Sequence, residues 1–394
     1  MRGREEVGAS IDFAPLRRER TSSRAETPSS DCYPVRVAAP QAPVGNLLAI
    51  SDLHISYAEN RDIAAELEPE SESDWLIIAG DVSEIVEDFE QILRLLAERF
   101  AKVIWVPGNH ELWTHPQDAV QLRGEHRYRE LVGICRRLGV LTPEDPYPLW
   151  TGEGGPAWIV PMFVGYDYSF YPPGARNKTE GLEIAYASGV VCSDEFLLHP
   201  DPHPSREDWC SARIAETERR LSELDDAYPT VLINHYPLVR EPTDVLRYPE
   251  FAQWCGTQRT ADWHRRFRAS CVVYGHLHIP RITHHDGVPF HEVSLGYPRE
   301  WRKHGHRHGL LRTVLPSGTT ARLRRRRTAA TTALAAGSAR ALRLTHHHPC
   351  GVAPAESALA DRNAHSGAVL HALLHLRRDE SPAASFTSFR WLPS

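Results

Sequence analysis

"VIWVPGNHELW", residues 103–113, drives a short apolar run straight into Pro107-Gly108-Asn109-His110. Val103–Val106 is β-branched and aromatic and reads as a buried strand. The Pro-Gly pair ends it with a turn. Asn109 and His110 are left at the strand's carboxyl edge, where open α/β sheets gather their chemistry. A polar residue after one strand is usually only loop, so the reading depends on other strands repeating the pattern.

Four others do. Leu47–Ile50 runs into Ser-Asp-Leu-His, Trp75–Ala79 into Gly-Asp, Thr230–Ile233 into Asn-His, and Cys271–Tyr274 into Gly-His-Leu-His. Asp52, His54, Asp81, Asn109, His110, His235, His276 and His278 thus fall just past five strand ends. A lone Asp-x-His in a chain with 22 His is more often chance than ligand, and a lone buried His is more often satisfied core. Five such ends in one chain point to a site. Carboxylates and imidazoles without thiolate suit Mn, Fe or Zn better than Mg. Gly before Asp81, Asn109 and His276 lets the backbone turn tightly beneath crowded ligands.

Further strands are expected at Trp158–Phe163 and at Arg281–His284 and Val288–Val293, the last two joined by an Asp-Gly turn. Apolar residues at helical spacing mark Ile85–Phe100 and Ser205–Leu224, the second opening on a Ser-x-x-Asp cap signal. Strands alternating with helices indicate a layered α/β domain. Two long segments, 165–204 and 237–262, break this rhythm and are rich in aromatic residues. Both are read either as binding loops or as aromatic-anchored surface loops.

The 394 residues are 41% hydrophobic with 10 Trp, ample for a large core. Residues 1–45 and 317–394 lack apolar periodicity. They are expected to be a disordered extension and a low-complexity, disordered tail carrying the run Arg324–Arg327. The body between them, 46–316, holds 27 Lys and Arg against 41 Asp and Glu. So acidic a surface disfavours nucleic acid as a partner. Seven scattered Cys with no Cys-x-x-Cys pair suggest reduced thiols in a cytoplasm. No run is long enough to span a membrane, and the N-terminal stretch has no signal-peptide core. Nothing in the sequence speaks to oligomeric state.

The order Asp-x-His, Gly-Asp, Gly-Asn-His-Glu, an isolated His and Gly-His-x-His, spread over 46–316, resembles the calcineurin-like metallophosphoesterases. That resemblance implies a four-layer α/β/β/α sandwich of two mixed sheets flanked by helices. It also implies two metal ions. Asp52, His54 and His278 would hold one, Asn109, His235 and His276 the other, and Asp81 would bridge them. A metal-bridging hydroxide would be the nucleophile, with His110 as general acid over the phosphate.

Protein phosphatases of this family carry an Arg in the Gly-Asp motif that "GDVSEIVED" (80–88) lacks, and purple acid phosphatases lack the His that His54 supplies. Both departures favour a phosphodiesterase. Longer stretches, "SDWLIIAGDV", "IVPMFVGYDYSF", "WCGTQRTADWH" and "VSLGYPREW", are similar to an actinobacterial branch, the 4′-phosphopantetheinyl hydrolases. This implies a holo-carrier protein as partner and substrate. Only three Lys among 45 basic residues fits a GC-rich genome. A diesterase for cyclic nucleotides or another small diester, and a non-catalytic protein-binding scaffold, are the alternatives. Tyr168, Trp254 and Arg299 are candidate substrate contacts. Arg clusters at 123–129, 265–268 and 299–303 are candidate docking points for an acidic carrier.

Overall fold

The computed structural model describes residues 45–304 and 309–316; the expected N-terminal extension and C-terminal tail lie outside the described residues. In chain order the strands are β1 (Leu47–Ile50), β2 (Trp75–Ile78), β3 (Lys102–Trp105), β4 (Leu149–Trp150), β5 (Ala157–Pro161), β6 (Thr230–Ile233), β7 (Ala269–Tyr274), β8 (Arg281–His285), β9 (Val288–Glu292) and β10 (Arg312–Leu315). The principal helices are α1 (Ala58–Ala65), α2 (Val86–Arg99), α3 (Asn109–Leu112), α4 (Gly124–Arg137), α5 (Lys178–Ala187), α6 (Asp194–Leu197), α7 (Arg206–Ser222), α8 (Trp263–Arg266) and α9 (Pro298–His304).

Two mixed sheets form, ordered β10-β1-β2-β3 and β4-β5-β6-β7-β9-β8. Strands such as β1 and β6 are buried at every position and so are covered on both faces. Leu47, Ala49, Ile77, Ala79 and Ile104 of the first sheet share one core with Ile159, Val231, Ile233, Cys271 and Val273 of the second. The outer face of the first sheet packs Leu48, Ile50 and Leu76 against Phe89, Leu93 and Leu131 of α2 and α4. The outer face of the second packs Leu232, Val272 and Phe290 against Cys210, Ile214 and Trp263 of α7 and α8. Burying each large side chain is worth roughly 1.5–3 kcal/mol, so the inter-sheet core holds both sheets in register. This is the four-layer helix, sheet, sheet, helix arrangement expected.

Local chemistry explains the elements. α2 buries Val86, Phe89, Ile92, Leu93 and Leu96 along one stripe, with Glu87 and Asp88 in its first turn and Arg99 in its last, as the helix dipole favours. At α7 the Ser205 hydroxyl accepts the Asp208 N–H at 3.1 Å, which is the cap expected. The β8–β9 turn places Asp286 and Gly287 at φ 50° and 81°, the pair of positive angles a tight hairpin needs.

Several elements have no clear sequence signal. β4 has only two residues, and β10 reads Arg-Thr-Val-Leu, polar at half of its positions. α4 buries Arg127 among its apolar residues, which interrupts its stripe. Segment 165–204 contains α5 and α6 rather than open loop. Cys135, Cys192, Cys210, Cys255 and Cys271 are buried free thiols. Among the described residues no helix is long and apolar enough to cross a membrane.

Candidate metal centre

The carboxyl ends of β1, β2, β3, β6 and β7 converge on one edge, where a Ser51–Ser294 bridge and the Ser51 N–H on Val293 O (3.1 Å) join the two sheets. The turns leaving these strands are strained. Asp52, His54, Asp81, His276 and His278 have φ between 43° and 69°, and they are five of the eight non-glycine residues with positive φ among the described residues. Each such residue costs on the order of 1 kcal/mol or more, and that cost concentrates where a site demands it. Hydrogen bonds over-determine the turns: Asp52 N–H on Gly80 O (2.9 Å), His54 N–H on Asp81 O (3.0 Å), Gly275 N–H on His235 O (2.9 Å). At Gly108 a Cβ would stand 2.0 Å from Asp81 Oδ1, so only glycine lets this backbone approach the carboxylate.

Two donor sets result. In the first, His278 Nε2 lies 3.1 Å from His54 Nε2 and 3.1 Å from Asp52 Oδ1. In the second, His235 Nε2 lies 3.2 Å from Asn109 Oδ1, 3.2 Å from His276 Nδ1 and 3.4 Å from Asp81 Oδ2. The same Asp81 oxygen is 3.9 Å from His54 Nε2, so this carboxylate faces both sets. Asp52, His54, His278 and Asp81, His235, His276 each form a cluster able to hold a metal ion.

The protons show that the residues fit cations. His235 Nδ1 is 2.8 Å from the Ala79 carbonyl, which can only accept, so the ring proton sits there. Its Nε2 lone pair therefore faces two further acceptors, Asn109 Oδ1 and Asp81 Oδ2. Lone pairs gathered this way are satisfied by a positive charge between them. His278 Nδ1 likewise meets Glu300 Oε2 at 2.8 Å, turning Nε2 toward the first set. The same acceptors also attract a proton to His235 Nε2, in competition with a metal ion. Burial alone disfavours a charged His235, yet Asp81 pushes it up to about 9. Burial would raise Asp52, but His278 and His235 hold it well below the usual carboxylate range. Burial pushes His54 and His276 down to about 3, helped by the neighbouring His110 and His235 respectively.

His110 joins neither set. Its ring lies 3.7 Å from that of Trp113, and its Nδ1 is 2.6 Å from Glu84 Oε1. Although burial opposes the imidazolium, Asp81 and Glu84 raise His110 above its ordinary value.

Sequence reading missed the supports. Glu84, three residues after Asp81, was legible as a carboxylate near the motif. Glu111, directly after Asn109-His110, accepts N–H bonds from Asp81 (2.9 Å), Val82 (2.9 Å), Gly108 (3.1 Å) and the Trp105 indole (3.3 Å). Burial and the Asp81 charge push Glu111 up to about 7, but four donors aimed at its oxygens call for the carboxylate. Asp52 Oδ2 accepts the hydroxyls of Ser51 (2.6 Å) and Ser294 (2.7 Å). Asp194 accepts from Asn109 and Trp113. Ser294, Glu300 and Asp194 lie far from these partners in sequence and leave no signal there.

Beside His110 opens a cavity of about 570 Å³, walled by Tyr57, Glu84, Ile85, Trp113 and Tyr297 among others. Two expected substrate contacts need correction. Tyr168 and Trp254 are fully buried, and their OH and indole N–H both donate to Glu195 Oε1, at 2.7 and 2.8 Å. Aromatic residues in a long segment served the core here. The Arg299 guanidinium lies 5.2 Å from the ring of Tyr297, a residue that walls the cavity. Most of the expected docking arginines are engaged: Arg127 is buried against Asp118 (2.8 Å), Arg123 pairs with Asp201 (3.0 Å), Arg266 with Glu218 and Arg302 with Glu59.

Comparison with known proteins agrees with this geometry. The calcineurin-like phosphoesterase family model matches residues 45–280, and the chain belongs to that family. Over 270 residues, 68% of this chain and 83% of the relative, it is 58% identical to the acyl-carrier-protein phosphodiesterase PptH of Mycobacterium tuberculosis. The crystal structure of phosphopantetheinyl hydrolase PptH from the same organism superposes with a TM-score of 0.69 at 56% identity, covering 70% of this chain and 98% of that one.

Proposed function

We propose that this calcineurin-like phosphoesterase hydrolyses the phosphodiester joining phosphopantetheine to the serine of a holo-carrier protein. The observation that carries the substrate is the 58% identity with an acyl-carrier-protein phosphodiesterase. The two donor sets support the chemistry. In this reading Asp52, His54 and His278 hold one ion, Asn109, His235 and His276 the other, and Asp81 touches both. Two ions there, Mn, Fe or Zn, would supply Lewis acidity to the phosphoryl oxygens and to the attacking water.

His110 acts at the opposite end of the displacement. Glu84 holds its Nδ1, leaving Nε2 to protonate the departing serine oxygen as the P–O bond to serine breaks. The water oxygen ends on phosphorus, and the products are 4′-phosphopantetheine and a free serine hydroxyl. Ile85 occupies the place of the arginine carried by the family's protein phosphatases, and it lines the cavity. At that position Ile85 supplies no guanidinium for the second charge of a monoester dianion, which favours the singly charged diester. The catalytic body is residues 46–316, and the five buried free thiols suit a cytoplasmic setting.

The test is the intact mass of a phosphopantetheinylated carrier protein after incubation with the enzyme and Mn²⁺. Loss of the whole phosphopantetheine group, leaving bare serine, is the expected result. An unchanged mass alongside hydrolysis of an aryl phosphodiester would remove the carrier as substrate and keep the diester chemistry.

A further inference from the structure

The Asn109 amide could present either its oxygen or its NH₂ to the second donor set, since the two ends are nearly the same size. Only the oxygen can meet a cation. In the structure Oδ1 faces His235 Nε2 at 3.2 Å while Nδ2 donates to Asp194 Oδ1 at 2.9 Å. A carboxylate only accepts, so it selects one amide orientation. The same Asp194 oxygen accepts the Trp113 indole N–H at 2.6 Å, and Trp113 backs the His110 ring. Asp194 is fully buried, and its other oxygen, Oδ2, has no hydrogen-bond partner among the described residues. Such a group is costly to keep unless something depends on it.

Asp194 comes from the long segment 165–204, and the chain invests heavily in its placement. Arg206 donates to the Asp194 carbonyl (2.5 Å) and the Leu198 carbonyl (2.8 Å). The next residue, Glu195, is gripped by Tyr168, Trp254 and Arg206, at 2.7, 2.8 and 3.2 Å. The aromatic residues of the two long segments thus brace the turn that carries Asp194.

We infer that Asp194 is a positioning residue for the second metal position: it holds the Asn109 amide with oxygen inward and, through Trp113, steadies His110. The inference rests on Asn109 being a ligand, as proposed above. It makes segment 165–204 part of the metal centre rather than a substrate loop.

The test compares the holoenzyme with Asp194→Val and Asp194→Asn, each loaded with Mn²⁺ and dialysed. Bound Mn per chain is counted, and spin coupling between ions is read by electron paramagnetic resonance. Asp194→Asn keeps an oxygen that accepts both N–H groups and is expected to retain two coupled ions. Asp194→Val is expected to retain about one, with affinity for the second lowered about 10–100-fold. Two coupled ions at unchanged affinity in Asp194→Val would overturn the inference. If that variant does not melt cooperatively, Asp194→Ala carries the same expectation. Asn109→Ala, measured in parallel, separates the premises. If it alone loses the second ion, the role of Asp194 fails and the ligand assignment stands. If it too keeps both ions, the ligand assignment fails and takes the inference with it.

Discussion

Glu84 and His110 meet at 2.6 Å, carboxylate to Nδ1, on the wall of the cavity beside the two donor sets. The contact fixes the ring and leaves its other nitrogen to face the reacting group. His110→Ala is therefore expected to lower kcat about 10²–10⁴-fold on a diester with an alkyl leaving group such as serine. A diester with an acidic aryl alcohol, which needs no proton to depart, should lose far less. Glu84→Gln should show a smaller loss with the same leaving-group dependence. Equal losses on both substrates would mean that His110 binds phosphate rather than protonating the product.

Gly108→Ala is expected to lower turnover about 100-fold or more, because the new Cβ would stand 2.0 Å from Asp81 Oδ1 and displace the carboxylate shared by both sets. Bound metal should fall in step with activity. A variant with full metal content and normal kcat would show that the turn can give way without moving Asp81.

Glu111→Gln is expected to be almost as damaging as Glu111→Leu. One amide end would turn an NH₂ toward N–H donors that now share a carboxylate oxygen, either Asp81 and Gly108 or Val82 and Trp105. Leaving such buried donors unsatisfied costs about 3 kcal/mol or more. Urea midpoints of the metal-free proteins measure this, and a Gln variant as stable as the parent would refute it.

Acid stability should depend on His291, which is buried in β9 with neither ring nitrogen hydrogen-bonded among the described residues. Burial pushes it down to about 4, with the cations of Arg312 and His284 adding to the effect. An unfolded His titrates near 6.5, so between about pH 6.5 and 4 the unfolded chain takes up a proton that the folded chain refuses. The penalty is absent above this window and grows as pH falls through it. Compared with the parent, His291→Leu should gain about 2 kcal/mol between pH 7.5 and pH 4.5, read as the change in urea stability of the metal-free proteins. Parallel declines in both proteins would exclude His291 as the titrating group.

Much of the fold was legible because its signals are local. Runs such as Leu47–Ile50 and Val231–Ile233 are apolar, and each is followed at once by its polar residues, so both strand and site residue could be read from a few neighbours. β10 and α4 were not legible, since a strand that is half polar and a helix with a buried arginine lack a clear apolar pattern. Tyr168 and Trp254 were misread as substrate contacts because an aromatic residue in a long segment looks the same whether it faces a groove or Glu195.

By itself, then, the sequence determined the layered architecture and the residues delivered to its carboxyl edge, because strand periodicity and turn chemistry act over a handful of positions. The tertiary structure alone decided how those residues are held. The left-handed backbone at Asp52, His54, Asp81, His276 and His278 exists only because packed turns impose it. The Asn109 amide faces inward because a carboxylate 85 residues away meets its nitrogen, and Asp52 is braced by a serine 242 residues away. Hydrogen bonds of this kind form where folding brings donor and acceptor within about 3 Å, and no periodic pattern along the chain records that distance.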